Sequence, residues 1–329
     1  MRHTLKYALK RGALIAAANW PVVIVQEAAD SLFKLLVAVP LIGGIFLVAL
    51  VLGAEPVALM SLGWRDLAAT IVASLTSRPA VLAAFLGALG VVIIGGSLFV
   101  FLIKAGTVYV LVRGDRAAGP VERPPLHFST VMTASAFSIE TFEGGARALF
   151  PRYARLGGML MSVYLVSGAG YLAAVLASRS AGDSWGMTAL LTAGFVAWIT
   201  VLNFLYLLTQ IVIAAEDCGV GAAARRVAQF LRRARAPVAA VFLVVLAIVV
   251  FATGASLMAT AALGLISFVP LLGLTVLPLQ LAAWLFRGLV FQYVGLSSIG
   301  AYLKLYRSMA ANAEGVMFAD WAADSGRRD

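Results

Sequence analysis

The sequence predicts an all-α, polytopic membrane helix bundle with six transmembrane helices and both termini in the cytoplasm. Only 12% of the 329 residues are charged, and the mean hydropathy is +0.97, whereas a soluble domain has about a quarter of its residues charged. Several charge-free runs are long enough to cross a bilayer, which takes about 20 helical residues. The basic residues gather on one side of these runs, and this asymmetry predicts the orientation.

The charge-free runs place the six spans within a single membrane domain, 1–329. The predicted spans are residues 32–54, 79–103, 156–178, 187–214, 237–263 and 271–300. The last charge-free run, 236–286, has 51 residues, so we divide it into two helices at the turn-forming stretch GLISFVPLLG, 264–273. The first apolar run begins near residue 32 and lacks a cleavage site, so we expect a retained anchor and no signal peptide.

The orientation follows from the charges between the spans. Of the 25 basic residues, 22 lie on one side, and Arg65, Arg78 and Arg179 lie on the other. Positive residues stay in the cytoplasm, so the segment 113–155 is expected to be a cytoplasmic loop and 310–329 a polar tail that frays. The stretch 114–128 is rich in proline and charge, and we expect it to lack regular structure.

The stretch AARRVAQFLRRARAP, 223–237, carries five arginines and no acid. On a helix over 222–235, Val227, Phe230, Leu231 and Ala234 share the face opposite the arginines. This pattern predicts an interfacial amphipathic helix with its apolar face in the acyl boundary and its arginines on phospholipid phosphates. A topology signal with a simple membrane anchor is one interpretation; a docking surface for an acidic partner, or a lipid sensor, is the other. The predicted contact residues are Arg225, Arg226, Arg232, Arg233 and Arg235.

A second amphipathic helix is predicted over 64–75, resting on the outer leaflet with Trp64 at headgroup level.

The polar residues singled out inside the predicted spans are Asn203 and Gln210 in the fourth, and Gln280 and Arg287 in the sixth. Hydrogen bonding between helices accounts for such residues in most spans. On a helix, Gln280, Arg287 and Ser298 form one polar line. An ionised arginine at depth costs at least about 2.5 kcal/mol. It can snorkel to phosphates, bond within the bundle or meet an acid from a partner, and we expect Arg287 to face the bundle or a partner.

The residues that carry most membrane chemistry are scarce in the spans. The two histidines, His3 and His127, lie in predicted cytoplasmic segments, and the one cysteine is Cys218. We therefore expect no catalytic, metal or cofactor site, no cofactor and no nucleic-acid partner. Glu27, Asp30 and Lys34 share a helical face near the first span, either as a substrate site or with Asp30 and Lys34 as an i,i+4 pair.

One region resembles a known group of proteins. In the run IVIAAEDCGVGAAARRVAQFLRRARAPVAAVFLVVL, a span ends in an acid and a glycine, and an Ala/Arg-rich helix and another span follow. This order is similar to uncharacterised bacterial six-helix proteins that resemble the membrane domain beside glycerophosphodiester phosphodiesterases. Glu216, Gly219, Ala224, Arg225 and Leu231 carry the match. The resemblance implies a fold and a bacterial inner-membrane location, and no activity.

Two function classes remain. We expect first a non-enzymatic integral membrane protein, a scaffold or accessory subunit of a larger membrane assembly, with anionic phospholipid and other membrane subunits as partners. A transporter or lipid-handling membrane protein is the alternative. A continuous polar cavity would favour the alternative. A flat apolar outer face, with its polar groups used up in helix contacts, would favour the scaffold.

Overall fold

The computed structural model describes residues 2–52, 63, 66, 73, 76–123, 128–180, 185–267 and 273–325. The regular structure of these residues is helical throughout, so the predicted all-α class is confirmed. In chain order the helices are α1 Arg2–Ala18, α2 Trp20–Leu52, α3 Pro79–Ala117, α4 Phe128–Met132, α5 Ile139–Ser180, α6 Trp185–Glu216, α7 Val220–Arg233, α8 Arg235–Ser267 and α9 Gly273–Ser325.

Six of these helices contain a segment long and apolar enough to cross a membrane. The segments are Trp20–Phe46, Pro79–Ala117, Ile139–Ser178, Trp185–Glu216, Arg235–Gly264 and Pro278–Ala310. They match the six predicted spans in number and order. The chain is therefore an integral, multi-pass membrane protein.

The helices extend further than the charge-free runs that predicted them. α3 continues to Ala117, and α5 begins at Ile139 and passes through Pro151 without a break. Within the stretch 114–128 that was expected to lack regular structure, 114–117 are thus helical, and the described residues 118–123 lie outside any helix. The tail expected to fray is helical as far as Ser325. The outer helix predicted over 64–75, the centre of the turn at 268–272 and His127 lie outside the described residues, apart from isolated positions.

The chain divides into two compact units. The first joins Met1–Glu27 to Lys104–Asp329, and the second is Ala28–Ile103. In the second unit, α2 and α3 approach through glycines, since a Cβ on Gly44 would lie 2.6 Å from the Phe85 ring and one on Gly96 2.4 Å from Phe33. Asp30 and Lys34 form an i,i+4 ion pair at 2.6 Å, as one of the two interpretations of this face predicted.

The core of the first unit lies where the helix ends meet. Its fully buried side chains include Ile15 of α1, Leu111 of α3, Ile213 of α6 and Leu303 of α9. Five of the six spans bury few side chains, whereas 39% of the most apolar stretch of Trp185–Glu216 is buried. Helix α1, which precedes the predicted first span, therefore belongs to this core.

Helices α1 and α9 cross with their backbones in contact. A Cβ on Gly12 would lie 2.1 Å from the Ser297 carbonyl oxygen and 2.7 Å from the Ala301 amide nitrogen, and one on Gly300 would lie 2.7 Å from the Gly12 Cα. Only residues without a side chain allow such an approach. Tyr293 also donates a hydrogen bond to the Ala13 carbonyl at 3.1 Å. The crossing fixes α1 on the last helix.

Candidate functional site

Among the described residues, the largest group of linked ion pairs is a cluster around Arg11 of α1. The Arg11 Nε lies 2.6 Å from Asp115 Oδ1, and its Nη1 lies 2.8 Å from Glu122 Oε2. The remaining guanidinium donors reach the carbonyls of Gly119, Asp115 and Ala118. From α9, Arg307 pairs with Asp115, and the Lys304 Nζ lies 3.1 Å from Glu122 Oε1. We call Arg11, Asp115, Glu122, Lys304 and Arg307 the ion cluster.

Burial and pairing act in opposite directions in the ion cluster. Burial by itself disfavours the charge on Arg11, but the hydrogen bond and charge of Asp115, followed by those of Glu122, outweigh it and raise the pKa of Arg11. Burial likewise acts to raise the pKa of Glu122. A backbone hydrogen bond and the contacts with Arg11 and Lys304 outweigh it, so that pKa is lowered. Both groups are held ionised and fully paired, which suits a structural lock between α1, the end of α3 and α9.

Two further polar contacts extend this connection. Asn19, in the break between α1 and α2, donates to the carbonyl of Ala134 at 2.8 Å, and its Oδ1 accepts from the amide of Ala136 at 2.8 Å. The Thr107 hydroxyl donates to Gln26 Oε1 at 3.2 Å. Sequence analysis missed these residues and the ion cluster, because no local pattern reports partners about a hundred residues away.

The arginine helix forms where it was expected, as α7, Val220–Arg233. Three of the four residues on its predicted apolar face, however, are buried against the protein: Val227 and Phe230 are each 3% exposed, and Ala234 is 5% exposed, while Leu231 is half-buried. The Phe230 ring meets the ring of Tyr306 in α9 at 5.5 Å. The prediction that this face lies in the acyl boundary is therefore wrong for Val227, Phe230 and Ala234. Periodicity identifies an apolar face, but it does not say whether lipid or protein covers it.

The five arginines divide into two groups. Arg226 pairs with Glu216, which also accepts a hydrogen bond from Tyr306. The Arg225 Nε donates to the Gly221 carbonyl of its own helix at 3.4 Å. The other three arginines are exposed and form no ion pair with any residue that the structure describes: Arg232, Arg233 and Arg235.

Arg232 and Arg235 lie at a groove with a volume of about 480 Å³, formed by α6, α7 and α8. Apart from these two arginines, its lining is apolar: Val201, Phe204, Leu231, Val238, Ala239 and Phe242. We call it the arginine groove.

The polar residues of the fourth span lie between helices. The Asn203 Oδ1 accepts from the Tyr164 hydroxyl at 2.6 Å, and its Nδ2 donates to the Ile199 carbonyl at 3.0 Å. The backbone carbonyl of Gln210 accepts from the buried Tyr153 hydroxyl at 2.9 Å, while the Gln210 Nε2 has no partner among the described atoms. These hydrogen bonds join α5 to α6, so Asn203 and Gln210 both contribute to the packing of these two helices.

The polar residues of the sixth span are brought together in part. Gln280 and Arg287 line a second groove, of about 640 Å³, between α8 and α9, opposite small residues such as Ala255 and Ser256. The Arg287 guanidinium is exposed, lies 5.5 Å from the Phe291 ring centre and has no acidic partner in the described part of the chain. Ser298, predicted on the same line, is instead buried and donates to the Gly295 carbonyl at 2.6 Å.

The surroundings of Arg287 include an acid that its own helix does not supply. A Cβ on Gly288 would lie 2.0 Å from Glu27 Oε1, so the buried Glu27 carboxylate rests on the α9 backbone one residue from Arg287. The sequence placed Glu27 close to the membrane boundary. Arg287 is therefore one residue away from the point where a boundary acid meets its helix.

These sites belong to an integral membrane protein with six apolar helices. No family model, no curated protein and no solved structure matches the chain.

Proposed function

We propose that this protein is a non-enzymatic scaffold or accessory subunit of a larger assembly in a bacterial inner membrane, and that its arginine helix contacts anionic phospholipid. The observation that carries the proposal is the contrast between the two sides of α5 and α6. Where α5 and α6 face each other, their polar side chains form hydrogen bonds, such as Tyr164 to Asn203 and Trp198 to Ser167. Away from each other they present uncovered large apolar side chains.

The uncovered side chains are extensive. Leu165 and Val166 of α5 are 74% and 75% exposed, and Val196 of α6 is 58% exposed. In a bilayer, either lipid or another membrane protein covers such a face. The buried charges of the ion cluster pair with each other and hold the helix ends together, which supports a structural role.

A photo-crosslinking amino acid at Val166 or Val196 tests the proposal in native membranes. A scaffold face should give a discrete protein adduct of fixed mass at these positions. The same group at Leu208, which is 2% exposed, is the matched control and should give none. If Val166 and Val196 yield lipid adducts and no protein adduct, the scaffold proposal fails.

A second candidate, a transporter or lipid-handling protein, is favoured by the groove that contains Gln280 and Arg287. Its volume of about 640 Å³ falls in the range of small-molecule sites. A mainly apolar wall with one cation and one amide is suited to an amphiphile with a negative headgroup.

A further inference from the structure

The arginine groove has an apolar surface and a basic surface next to each other. One amphiphilic molecule could occupy both. The groove's apolar lining, which we call the floor, includes aromatic and branched side chains from two apolar helices: Val201, Phe204, Val238 and Phe242. Its basic lining, which we call the rim, consists of Arg232 and Arg235. The floor suits a hydrocarbon chain, and the rim suits an anion.

The backbone explains why both arginines reach the same groove. α7 ends at Arg233, and its cap residue Ala234 has φ −120° and ψ 32°, so the chain leaves the α-helical conformation there before α8 begins at Arg235. Arg232 is therefore the penultimate residue of one helix and Arg235 the first of the next. A bend at this position places two guanidinium groups around one opening.

The charges at the rim are uncompensated. Neither Arg232 nor Arg235 forms an ion pair with any described residue, whereas Arg226 on the same helix is paired with Glu216. Guanidinium groups bind phosphate through two parallel hydrogen bonds. Basic openings between helices on the cytoplasmic side of a membrane bind anionic lipid headgroups.

We propose that the arginine groove is a specific site for one anionic phospholipid of the surrounding membrane. Arg232 and Arg235 bind its phosphate, and an acyl chain lies on Val201, Phe204 and Phe242. This inference rests on the proposed contact between the arginine helix and anionic phospholipid, and it confines that contact to two of the five arginines.

The test measures lipid binding to the full chain in detergent by native mass spectrometry, with phosphatidylglycerol as the probe and phosphatidylcholine as the neutral comparison. Each basic group near an anionic lipid contributes roughly 1 kcal/mol, about a fivefold change in affinity. Arg232→Gln or Arg235→Gln should weaken phosphatidylglycerol binding about fivefold, and the double variant about 30-fold. Arg225→Gln, which removes an equal charge from the same helix, should change it by less than about twofold.

A second variant tests the floor without altering charge. Ala239 is an exposed lining residue of α8, and Ala239→Trp fills the groove while the rim is intact. It should weaken phosphatidylglycerol binding as strongly as the double arginine variant. Inorganic phosphate, which lacks a chain, should not displace the lipid at millimolar concentration.

The outcomes separate this site from the broader proposal. If Arg225→Gln weakens binding as much as Arg232→Gln, or if Ala239→Trp has no effect, the groove is not the site, although a diffuse arginine–lipid contact survives. Displacement by inorganic phosphate identifies a free-anion site and overturns the lipid assignment. If the wild-type chain binds phosphatidylcholine as tightly as phosphatidylglycerol, both the site and the broader contact fail.

Discussion

At the scale of single residues, the burial and ion pairing of Arg11 could not be read from the composition of the chain. In the sequence Arg11 is one of 22 basic residues on the predicted cytoplasmic side, yet it is 6% exposed and binds two carboxylates 104 and 111 positions away. Burying a charge is unfavourable unless partners satisfy it. Neither Asp115 nor Glu122 has a local feature that identifies it as that partner, so the ion cluster could not be predicted.

Glu122 gives a pH-dependent prediction. Its pKa is lowered in the folded protein from an ordinary value of 4.5. The stabilisation from its charge is therefore fully present above pH 4.5 and is lost as pH falls through the lower, folded value. Glu122→Gln should lower the free energy of unfolding by about 1–3 kcal/mol at pH 7 and should remove part of the acid sensitivity.

Thermal unfolding of the detergent-solubilised protein between pH 3 and pH 7 measures this effect. Glu143→Gln is the matched control, since Glu143 forms an exposed i,i+4 pair with Arg147 at 3.2 Å and such pairs contribute little. Equal pH profiles for wild type and Glu122→Gln would contradict the electrostatic account of the ion cluster.

At the scale of helices, the sequence predicts how many spans there are better than it predicts where each helix begins and ends. Six spans follow from charge-free runs, because the bilayer imposes a length and a composition. Hydropathy marks where a helix ceases to suit lipid, and not where its backbone hydrogen bonds end, so the continuation of α3 to Ala117 and the start of α5 at Ile139 were missed. The sequence predicts the apolar face of α7. It does not predict that protein covers this face, because a residue that packs there, Tyr306, is distant in the sequence.

The sixth transmembrane helix carries a prediction about Arg287. If the guanidinium serves the bundle or a partner, Arg287→Leu should reduce the yield of monodisperse protein or the protein adducts of the crosslinking experiment. Arg287→Lys should restore little, because an ammonium does not reproduce a planar group over the Phe291 ring. Phe286→Leu is the control, as Phe286 is the adjacent residue and 69% exposed. Higher stability of Arg287→Leu, with unchanged adducts, would show a tolerated lipid-facing charge.

At the scale of the whole molecule, the sequence predicts how many times the chain crosses the membrane and in which direction, and the structure adds the partition into two units. That partition follows from contacts between distant segments, such as α1 on α9. Charge asymmetry contains information about orientation and none about which spans pack together.

Orientation is tested by labelling single cysteines in intact cells after Cys218→Ser. Cysteines at Arg65 and Asp183, which lie outside the described residues, should react with a membrane-impermeant maleimide. Cysteines at Arg123 and Arg232 should react only after permeabilisation, because the 22-to-3 division of basic residues keeps them inside. Labelling of Arg232 from outside would reverse the orientation and would place the arginine groove on the other leaflet.

The contact between Gly12 and Gly300 also has a consequence for biosynthesis. Ribosomes add about 5–20 residues per second, so residue 300 is polymerised roughly 15–60 s after residue 12. Throughout that interval the first helix has been made while the surface that receives it has not. The nascent chain must insert five spans with this helix undocked, and the core of the first unit closes only after the sixth span has been made.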